Sequence, residues 1–333
     1  MNGYMYNKVL LFFIVLYPLC IGGGAEISLQ KTPAGYDVLI DKQIFAGYIT
    51  DFQGTPIVYP IIGPTGKKMT RDYPMNERKD ETEITDHPHH RSLWFTHSNV
   101  NGLDFWTAEH QTKQTQYKII HRKFHQAKVM DNTAVIQTEN EWIGKDNEPV
   151  CLDVRTLHFG LLDDKRYIDL GVTVKALQDK VVFGDVKDGT FGLRVPGTMS
   201  VTAKERHPTW GGHFVNAEGL TDAAAWGKQS NWIDYYGPVE GETLGIAVLN
   251  HPSSFRYPTY WHIREYGLVA ANPFGVHTFG KNPDKHSGDL ALQKGGTFTV
   301  SYRIVLHKGT AKEAGIAQLF EQYRNKENFP HSR

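Results

Sequence analysis

The sequence predicts a mainly β protein, an antiparallel β-sandwich with one C-terminal helix. Short segments of alternating apolar and polar residues recur along the chain, and several are joined by two-residue polar turns. Of the 333 residues, 40% are hydrophobic and 22% are charged, which is the ordinary balance of a globular protein. Many short antiparallel strands in such a chain favour two packed sheets over a parallel α/β fold.

The N-terminus has the three parts of a signal peptide. Lys8 precedes an apolar run at residues 9–19, and small residues follow at 22–25. The run is too short to span a bilayer. We therefore expect residues 1–25 to be a signal peptide, and the mature chain to be periplasmic or extracellular with no integral membrane span. A membrane anchor is one alternative, and a lipoprotein attached through Cys20 is less expected because no small residue precedes that cysteine.

The strands are predicted from period-two alternation and from their flanking turns. Asp41-Lys42 and Asp131-Asn132 are the two-residue turns of two predicted hairpins. Once Cys20 is removed with the signal, Cys151 stands alone and is expected to be a buried strand residue. The predicted strands are residues 36–40, 43–48, 128–130, 133–137, 155–159, 167–174, 244–249 and 297–306.

One helix is predicted at the C-terminus. Thr310 and Glu313 have the spacing of a capping box, and an apolar stripe follows at helical intervals. The stripe consists of Ile316, Leu319, Phe320 and Tyr323. Because the chain shows no repeat, linker or clear boundary, residues 26–333 are predicted to form a single domain.

The densest chemical motif is the segment of residues 85–97, in which four histidines fall within eleven residues. Imidazole can donate, accept and carry a proton near neutral pH. Pro88 is expected to hold His87 extended, so that His87 and His89 point to one side and His90 to the other. His-x-His is also a metal-ligand spacing, which makes a divalent metal at His87 and His89 one alternative. A solvated loop with structural histidines is the other.

Two further motifs follow along the chain. Asp104 and Trp106 are expected to alternate on one face, where a carboxylate beside an exposed indole can hold a sugar ring; Glu109 and His110 come next. In the segment 188–194, glycines let the chain bend and Arg194 can fix a carboxylate or a pair of hydroxyls. A bent strand with a surface arginine explains the second motif equally well.

The last motif contains a second His-Pro and a Trp-His-x-Arg pattern. His262 and Arg264 are expected on one face of a strand, and Asn272 follows in an Asn-Pro-Phe-Gly segment. If this strand meets the first histidine cluster, histidines and arginines from both line one pocket. The alternative is that Arg264 pairs with Glu265 at the surface.

Together these motifs resemble the family known as methane oxygenase PmoA-like, a family of unknown function. The resemblance is carried by residues 86–95, 100–106, 188–194 and 250–275, and it covers most of the chain from about residue 44. The family name implies a membrane oxygenase subunit, which needs several spanning helices that this sequence lacks. The resemblance implies a β-supersandwich of the galactose-mutarotase type and an association with bacterial sugar degradation. Sites of that type use a histidine acid and a carboxylate base on a sugar ring.

The motifs and the resemblance lead to a hypothesis of a carbohydrate-active enzyme. It would be an epimerase, lyase or hydrolase acting on a sugar, an oligosaccharide or an oxidised (keto) glycoside. Proton transfer is assigned to His89, His90 and His262. Substrate binding is assigned to His87, Arg91, Trp94, Asp104, Trp106, Arg194, Arg264 and Asn272.

The partners expected for this chain are small molecules. Lys plus Arg and Asp plus Glu both number 36, so no basic excess points to nucleic acid. No cofactor is expected, apart from the metal alternative at the first histidines. A sugar-binding protein without catalysis is the other function left open, because the same groups that transfer protons also bind hydroxyls.

Overall fold

The computed structural model describes residues 24–76, 82–107 and 117–326. Within these ranges the strands are β1 Ile27–Thr32, β2 Gly35–Ile40, β3 Gln43–Ile49, β4 Ile57–Ile61, β5 Leu93–His97, β6 Lys118–Met130, β7 Thr133–Ile143, β8 Pro149–Leu162, β9 Lys165–Ala176, β10 Lys180–Phe183, β11 Gly189–Arg194, β12 His213–Asn216, β13 Trp232–Val239, β14 Glu242–Asn250, β15 Tyr260–Ile263, β16 Leu268–Asn272, β17 Leu290–Gln293 and β18 Thr297–Lys308. The helices are α1 Val276–Gly280 and α2 Ile316–Arg324, with 3-10 turns at Lys145–Asn147, Gly197–Met199, Val201–Glu205 and Asp222–Ala225.

The strands form two eight-stranded sheets and one two-stranded sheet, and neighbouring strands are antiparallel. The first sheet has the order β1-β2-β3-β4-β5-β11-β16-β15, and the second has the order β12-β13-β14-β18-β9-β8-β7-β6. Strands β10 and β17 pair separately. The predicted antiparallel sandwich with a C-terminal helix is therefore confirmed.

The two predicted hairpins are present. Asp41 and Lys42 have φ angles of 49° and 65°, and Asp131 and Asn132 have 48° and 52°. Positive φ at both turn residues is typical of the tight turns that follow the twist of paired strands. These turns join β2 to β3 and β6 to β7, so that Ile40 pairs with Gln43 and Met130 with Thr133.

The main core lies between the two large sheets. Phe95 and Phe191 enter it from the first sheet, and Ile168 and Val172 enter it from the second. Cys151 is buried in β8, as predicted, and burial raises the pKa of its thiol well above the ordinary value. A thiol held protonated in this way is a poor nucleophile.

The outer face of the second sheet is covered by the C-terminal helix. Ile316, Phe320 and Tyr323 pack on Trp232 and other apolar residues of that face. The expected start of this helix at the Thr310–Glu313 pair is wrong. That pair is hydrogen bonded, but Gly315 has a φ of 69° and breaks the helical path, so α2 begins after it.

The outer face of the first sheet carries a second apolar cluster, which includes Trp94, Trp106, Leu268 and Ala270. Alternation places these residues opposite the core-facing residues of the same strands. No helix in the described part of the chain is both long and apolar enough to cross a bilayer. That residues 26–333 form one domain stays a prediction.

Candidate functional site

The sequence motifs meet on the outer face of the first sheet. In the strand register Trp94 lies opposite Gly192, Gly192 opposite Ala270, and Ala270 opposite His262. Residues in register share a face, so all four belong to one row across four strands. Gly192 lets the indole of Trp94 lie across it, since a Cβ there would sit 2.4 Å from Trp94 Cε2.

The first histidine motif forms a turn, and the expected extended conformation is wrong. His87 has a φ of 46°, and the amide of His90 donates to the carbonyl of His87 at 2.9 Å. Arg71 fixes this turn by donating to the carbonyls of Ile84 and His87 at 2.7 and 3.0 Å. As a result, the rings of His87 and His90 stack with centroids 4.8 Å apart instead of pointing to opposite sides.

One carboxylate holds two buried guanidiniums beside this turn. Asp86 Oδ1 accepts from Arg71 Nη1 at 2.6 Å and from Arg194 Nη2 at 2.7 Å. Burial acts to raise the pKa of Asp86, but Arg194 and Arg71 outweigh it and hold this pKa below its ordinary value. Burial, together with repulsion from Arg194, lowers the pKa of Arg71 to about 10. We call Arg71, Asp86, His87, His90 and Arg194 the histidine–arginine cluster.

His90 is the most enclosed histidine of that cluster. Its Nδ1 accepts from Arg194 Nη1 at 2.8 Å, and its ring stacks at 5.3 Å on Trp94. Burial and the charge of Arg194 push the pKa of His90 well below its ordinary value. An arginine N–H always donates, so the neutral ring must carry its proton on Nε2. His89 is also buried and meets His90 edge-on at 4.4 Å.

A second polar group lies at the other end of the row. His262 Nε2 is 3.7 Å from Asp188 Oδ1, and Asp188 is 30% exposed. The indole N–H of Trp226 donates to His262 Nδ1 at 3.1 Å, which leaves the Nε2–H of the neutral ring directed towards the carboxylate. Burial lowers the pKa of His262 to about 3 and raises the pKa of Asp188. We call these two residues the His262–Asp188 pair.

Asn272 reaches the site through the loop that carries Asp188. Its side-chain amide donates to the carbonyls of Val186 and Lys187 at 2.7 and 2.9 Å, and the residue is fully buried. The amide of Ser98 binds the carbonyl of Asp188 itself at 3.0 Å. Asn272 was predicted to bind substrate, but its amide is occupied in holding this loop.

Tyr266 is the wall that the two groups share. Its ring stacks on His87 with centroids 4.8 Å apart, and the guanidiniums of Arg194 and Arg264 lie 4.8 and 5.5 Å from its centroid. His87 is 39% exposed, and it is one of the groups that act to lower the pKa of Asp188. The two predicted halves of the site therefore adjoin at Tyr266 and His87.

The predicted exposed indole is wrong. Trp106 is only 1% exposed, and its ring packs against the equally buried Trp94 at 5.1 Å. Asp104 and Trp106 do not alternate on a strand, since both lie in the loop that follows β5. There the Asp104 carboxylate accepts from the amides of Trp106 and Thr107 at 2.8 and 3.1 Å. Both indoles therefore form the floor of the site and offer no open face to a sugar ring.

Arg91 and Arg264 differ in exposure, since one is buried and one lies at the surface. Arg91 is buried next to the histidine turn, and Arg264 is exposed at the rim, just after β15. Glu109 and His110 lie outside the described residues. Across residues 24–76, 82–107 and 117–326, no three His, Cys, Asp or Glu side chains are placed to hold a metal ion. The alternative of a metal at His87 and His89 thus lacks a third ligand there.

Sequence reasoning did not assign roles to Asp188, Tyr266, Trp226 or Arg71. Asp188 is the first residue of the motif at 188–194, in which only Arg194 was given a candidate role. The carboxylate of Asp188 could have been recognised there as a candidate base. Trp226 and Tyr266 carried no signal of their own, because each reaches the site through strand pairing and stacking that no local spacing encodes.

A family model described as a family of unknown function (DUF6807) matches residues 35–321. A comparison with curated proteins finds no match. The PmoA-like resemblance is not addressed by either result and stays a prediction.

Several carbohydrate-active proteins of known structure have a backbone structure similar to that of this chain. A GH36 α-galactosidase from Geobacillus stearothermophilus shares 11% identity at a TM-score of 0.40, over 87% of this chain and 42% of its own. A polysaccharide lyase shares 9% identity at a TM-score of 0.32, over 90% of this chain and 34% of its own. A protein from Klebsiella pneumoniae, provisionally assigned as an aldose 1-epimerase, shares 11% identity at a TM-score of 0.37, over 91% of this chain and 88% of its own.

The chain spans about two fifths of the α-galactosidase and about a third of the lyase. At these scores the similarities carry no argument about chemistry. The function has to be inferred from the site.

Proposed function

The chain belongs to the DUF6807 family, and from its site we propose that it is a carbohydrate-active enzyme that transfers protons on a sugar. The His262–Asp188 pair is the reacting pair in this proposal. The observation that carries it is their arrangement: a neutral imidazole N–H and a partly exposed carboxylate 3.7 Å apart, with their pKa values shifted in opposite directions. Titratable pairs whose pKa values are pushed apart by their surroundings are typical of acid–base sites.

The protonation state of His262 favours one kind of chemistry. A histidine whose pKa is about 3 is neutral at pH 7, so it can donate a hydrogen bond but rarely gives up a full proton. Asp188, with its raised pKa, is a stronger base than an ordinary carboxylate. The combination suits removal of a proton from a carbon next to a carbonyl, and it suits less well the full protonation that glycoside hydrolysis requires. This favours an epimerase or a lyase over a hydrolase.

The proposed step can be written with its charges balanced. Asp188 accepts the proton from carbon, and the electron pair of the broken C–H bond moves towards the carbonyl oxygen. His262 Nε2–H donates to that oxygen as its negative charge develops. Protonation of that carbon from the opposite face by a water molecule gives an epimer, and the hydroxide that forms takes the proton held by Asp188. In the lyase outcome the β-oxygen substituent is expelled, and the proton held by Asp188 leaves with it as an alcohol.

The histidine–arginine cluster has a different role in this proposal. His90 is buried and its Nδ1 is held by Arg194, so we assign it to positioning and not to proton transfer. His87, which is partly exposed beside Asp188, is retained as a substrate-binding residue, whereas His89 is buried behind it. The cluster supports the wall that Tyr266 forms.

We also propose that the protein acts after export, in the periplasm or outside the cell. The support is the signal-peptide pattern at residues 1–25, of which 1–23 lie outside the described residues. Detection of the processed chain in a periplasmic or culture fraction would test this.

Proton transfer can be tested without knowing the product. Purified protein is incubated in D₂O with a panel of neutral, acidic and keto sugars and glycosides, and the sugars are examined by mass spectrometry and NMR. Wild-type protein is expected to introduce deuterium at carbon in at least one sugar. Asp188→Asn and His262→Gln are expected to lose this, and His286→Gln, a side chain 81% exposed elsewhere on the surface, is expected to keep it.

Two outcomes would contradict the proposal. Undiminished exchange in Asp188→Asn would remove the assigned base. Tight sugar binding with no exchange and no product would show the sugar-binding alternative instead.

A further inference from the structure

Two cationic side chains flank the His262–Asp188 pair. Arg264 follows His262 by two residues, and Lys187 directly precedes Asp188. Both side chains are exposed at the rim of the site. Among the residues that the structure describes, no carboxylate is close enough to form an ion pair with either. Two exposed cations beside a reacting pair are a candidate anion site.

Arg264 is held in place without a carboxylate partner. Its guanidinium lies 5.5 Å from the ring centroid of Tyr266. Tyr266 is fixed in turn by stacking on His87 and by Arg194, each 4.8 Å from it. A cation held over an aromatic ring is ordered but keeps its N–H donors free. The donors of Arg264, which lies two residues along the chain from His262, are therefore available at a fixed place over Tyr266.

The charges behind the rim act in the same direction. Arg71 and Arg194 are both buried and share the one carboxylate of Asp86. The negative charge of Asp104 acts against them by raising the pKa of Asp188, although its carboxylate also accepts from two amides of its own loop. After burial itself, the charges of Arg264 and Lys187 are the causes that lower the pKa of His262. Lys187 and Arg264 thus place two positive charges beside the one carboxylate of Asp188, and both act to lower its pKa.

We infer that the sugar bound at this site carries a carboxylate, which Arg264 and Lys187 hold beside the His262–Asp188 pair. The substrate class is then an acidic sugar such as a uronic acid, either free or at an oligosaccharide end. This inference rests on the proposed function and deepens it. In the proposed step, negative charge that develops on the carboxylate oxygens lies next to both cations. Arginine is the side chain best suited to this, because its fork can donate two parallel hydrogen bonds to a carboxylate.

The test measures binding of matched sugar pairs by calorimetry. Galacturonate is compared with galactose and glucuronate with glucose, and glucose 6-phosphate serves as a second kind of anion. The proteins are wild type, Arg264→Gln, Lys187→Gln and the control Lys285→Gln, which removes one exposed positive charge in the loop after α1.

In wild-type protein at least one uronate is expected to bind about tenfold or more tightly than its neutral partner, since a charge-assisted contact contributes on that order. Arg264→Gln is expected to reduce the uronate affinity about tenfold and to leave the neutral sugar unchanged, with a smaller effect from Lys187→Gln. The control is expected to match wild type. Tighter binding of glucose 6-phosphate than of the uronates would overturn the assignment to a carboxylate.

Failure of this inference can be told apart from failure of the proposed function. Equal affinity for acidic and neutral sugars, with exchange in D₂O that still depends on Asp188, overturns only the acidic substrate. Uronate binding that depends on Arg264, without any exchange, supports the inference and overturns the enzymatic proposal. If no sugar of either kind binds, both are overturned.

Discussion

The histidine–arginine cluster and the His262–Asp188 pair lie on the same face of one sheet, yet they differ in how their polar atoms are used. In the cluster, Asp86 binds two buried arginines and Arg194 also binds His90. In the pair, a 3.7 Å gap separates the two groups. The carboxylates of Asp188 and Asp86 are similarly exposed, at 30% and 33%, so the two regions differ in how their polar atoms are hydrogen bonded and not in the access of solvent to the carboxylate. The cluster is the denser motif in sequence, but the pair is better placed to meet a substrate.

The difference shows why density of titratable residues is an ambiguous signal. Histidines and arginines that are close in sequence can satisfy one another, and once buried they contribute to stability and to shape. Reactive groups need a free donor or acceptor directed at a place where a substrate can sit. A change in the cluster should therefore affect mainly folding, and a change in the pair should affect mainly activity.

The largest effect is expected from Asp188→Asn. The variant removes the charge but keeps the shape, so turnover of a confirmed substrate should fall by about 10²- to 10⁴-fold, the usual contribution of a positioned base. Its thermal unfolding temperature should stay within a few degrees of wild type. Steady-state kinetics and a melting curve on the same preparation check both. Loss of folding together with activity would place Asp188 among the structural residues.

Asp86→Asn tests the cluster in the opposite sense. It leaves two buried guanidiniums without the charge they share. Because Asp86 itself is 33% exposed, the expected cost is about 1–3 kcal/mol, the usual penalty for leaving a buried donor unsatisfied. We expect the free energy of unfolding, measured by urea denaturation, to fall by that amount. Glu242→Gln removes the exposed Lys67–Glu242 pair and should leave the free energy of unfolding close to that of wild type. Equal losses of stability in the two variants would remove the distinction between the ion pairs of the cluster and an exposed surface pair.

The pH dependence of stability should contain a contribution from His262. The pKa of His262 is lowered from 6.5 to about 3 in the folded protein. Between these two pH values His262 is therefore protonated in the unfolded chain and neutral in the folded chain. Stability is then lost as pH falls from 6.5 towards 3. His262→Gln lacks this proton, and its unfolding temperature should decline less steeply over that window. A parallel decline in both proteins would mean that His262 is not held neutral.

The smallest effect is expected from Trp226→Phe. This variant keeps an aromatic ring against Phe279 but removes the N–H that donates to His262 Nδ1. The ring of His262 is then free to carry its proton on either nitrogen, so activity should fall about tenfold or less through kcat, with KM little changed. Stability should fall by about 1 kcal/mol, the usual contribution of one hydrogen bond. An increase in KM alone would indicate a role in binding.

Much of the fold could be predicted from the sequence because its signals are local. The turns at Asp41-Lys42 and Asp131-Asn132 and the alternation in β9 each depend on neighbouring residues only. The start of α2 was missed because Gly315 takes a left-handed conformation that the capping pattern does not reveal.

The site was predicted in its parts but not in its contacts. Arg194, His262 and Arg264 were singled out from their motifs, whereas the partners Asp188 and Trp226 were not. Trp226 lies 36 residues from His262, and the pairing of β5 with β11 joins residues about a hundred positions apart. Such pairings are set by packing of the whole sheet. The burial of Trp106 has the same origin, because a second apolar layer covers this face of the sheet.

The measurement that tests the account most directly is the NMR spectrum of the ¹⁵N-labelled histidine rings, assigned with His262→Gln and His90→Gln and titrated with galacturonate. At pH 7 we expect His262 to be neutral with its proton on Nε2, and its ring signals to shift as the sugar binds. The signals of buried His90 should remain in place. Shifts confined to His87, His89 or His90, with His262 unaffected, would contradict the account and return the chemistry to the histidine–arginine cluster.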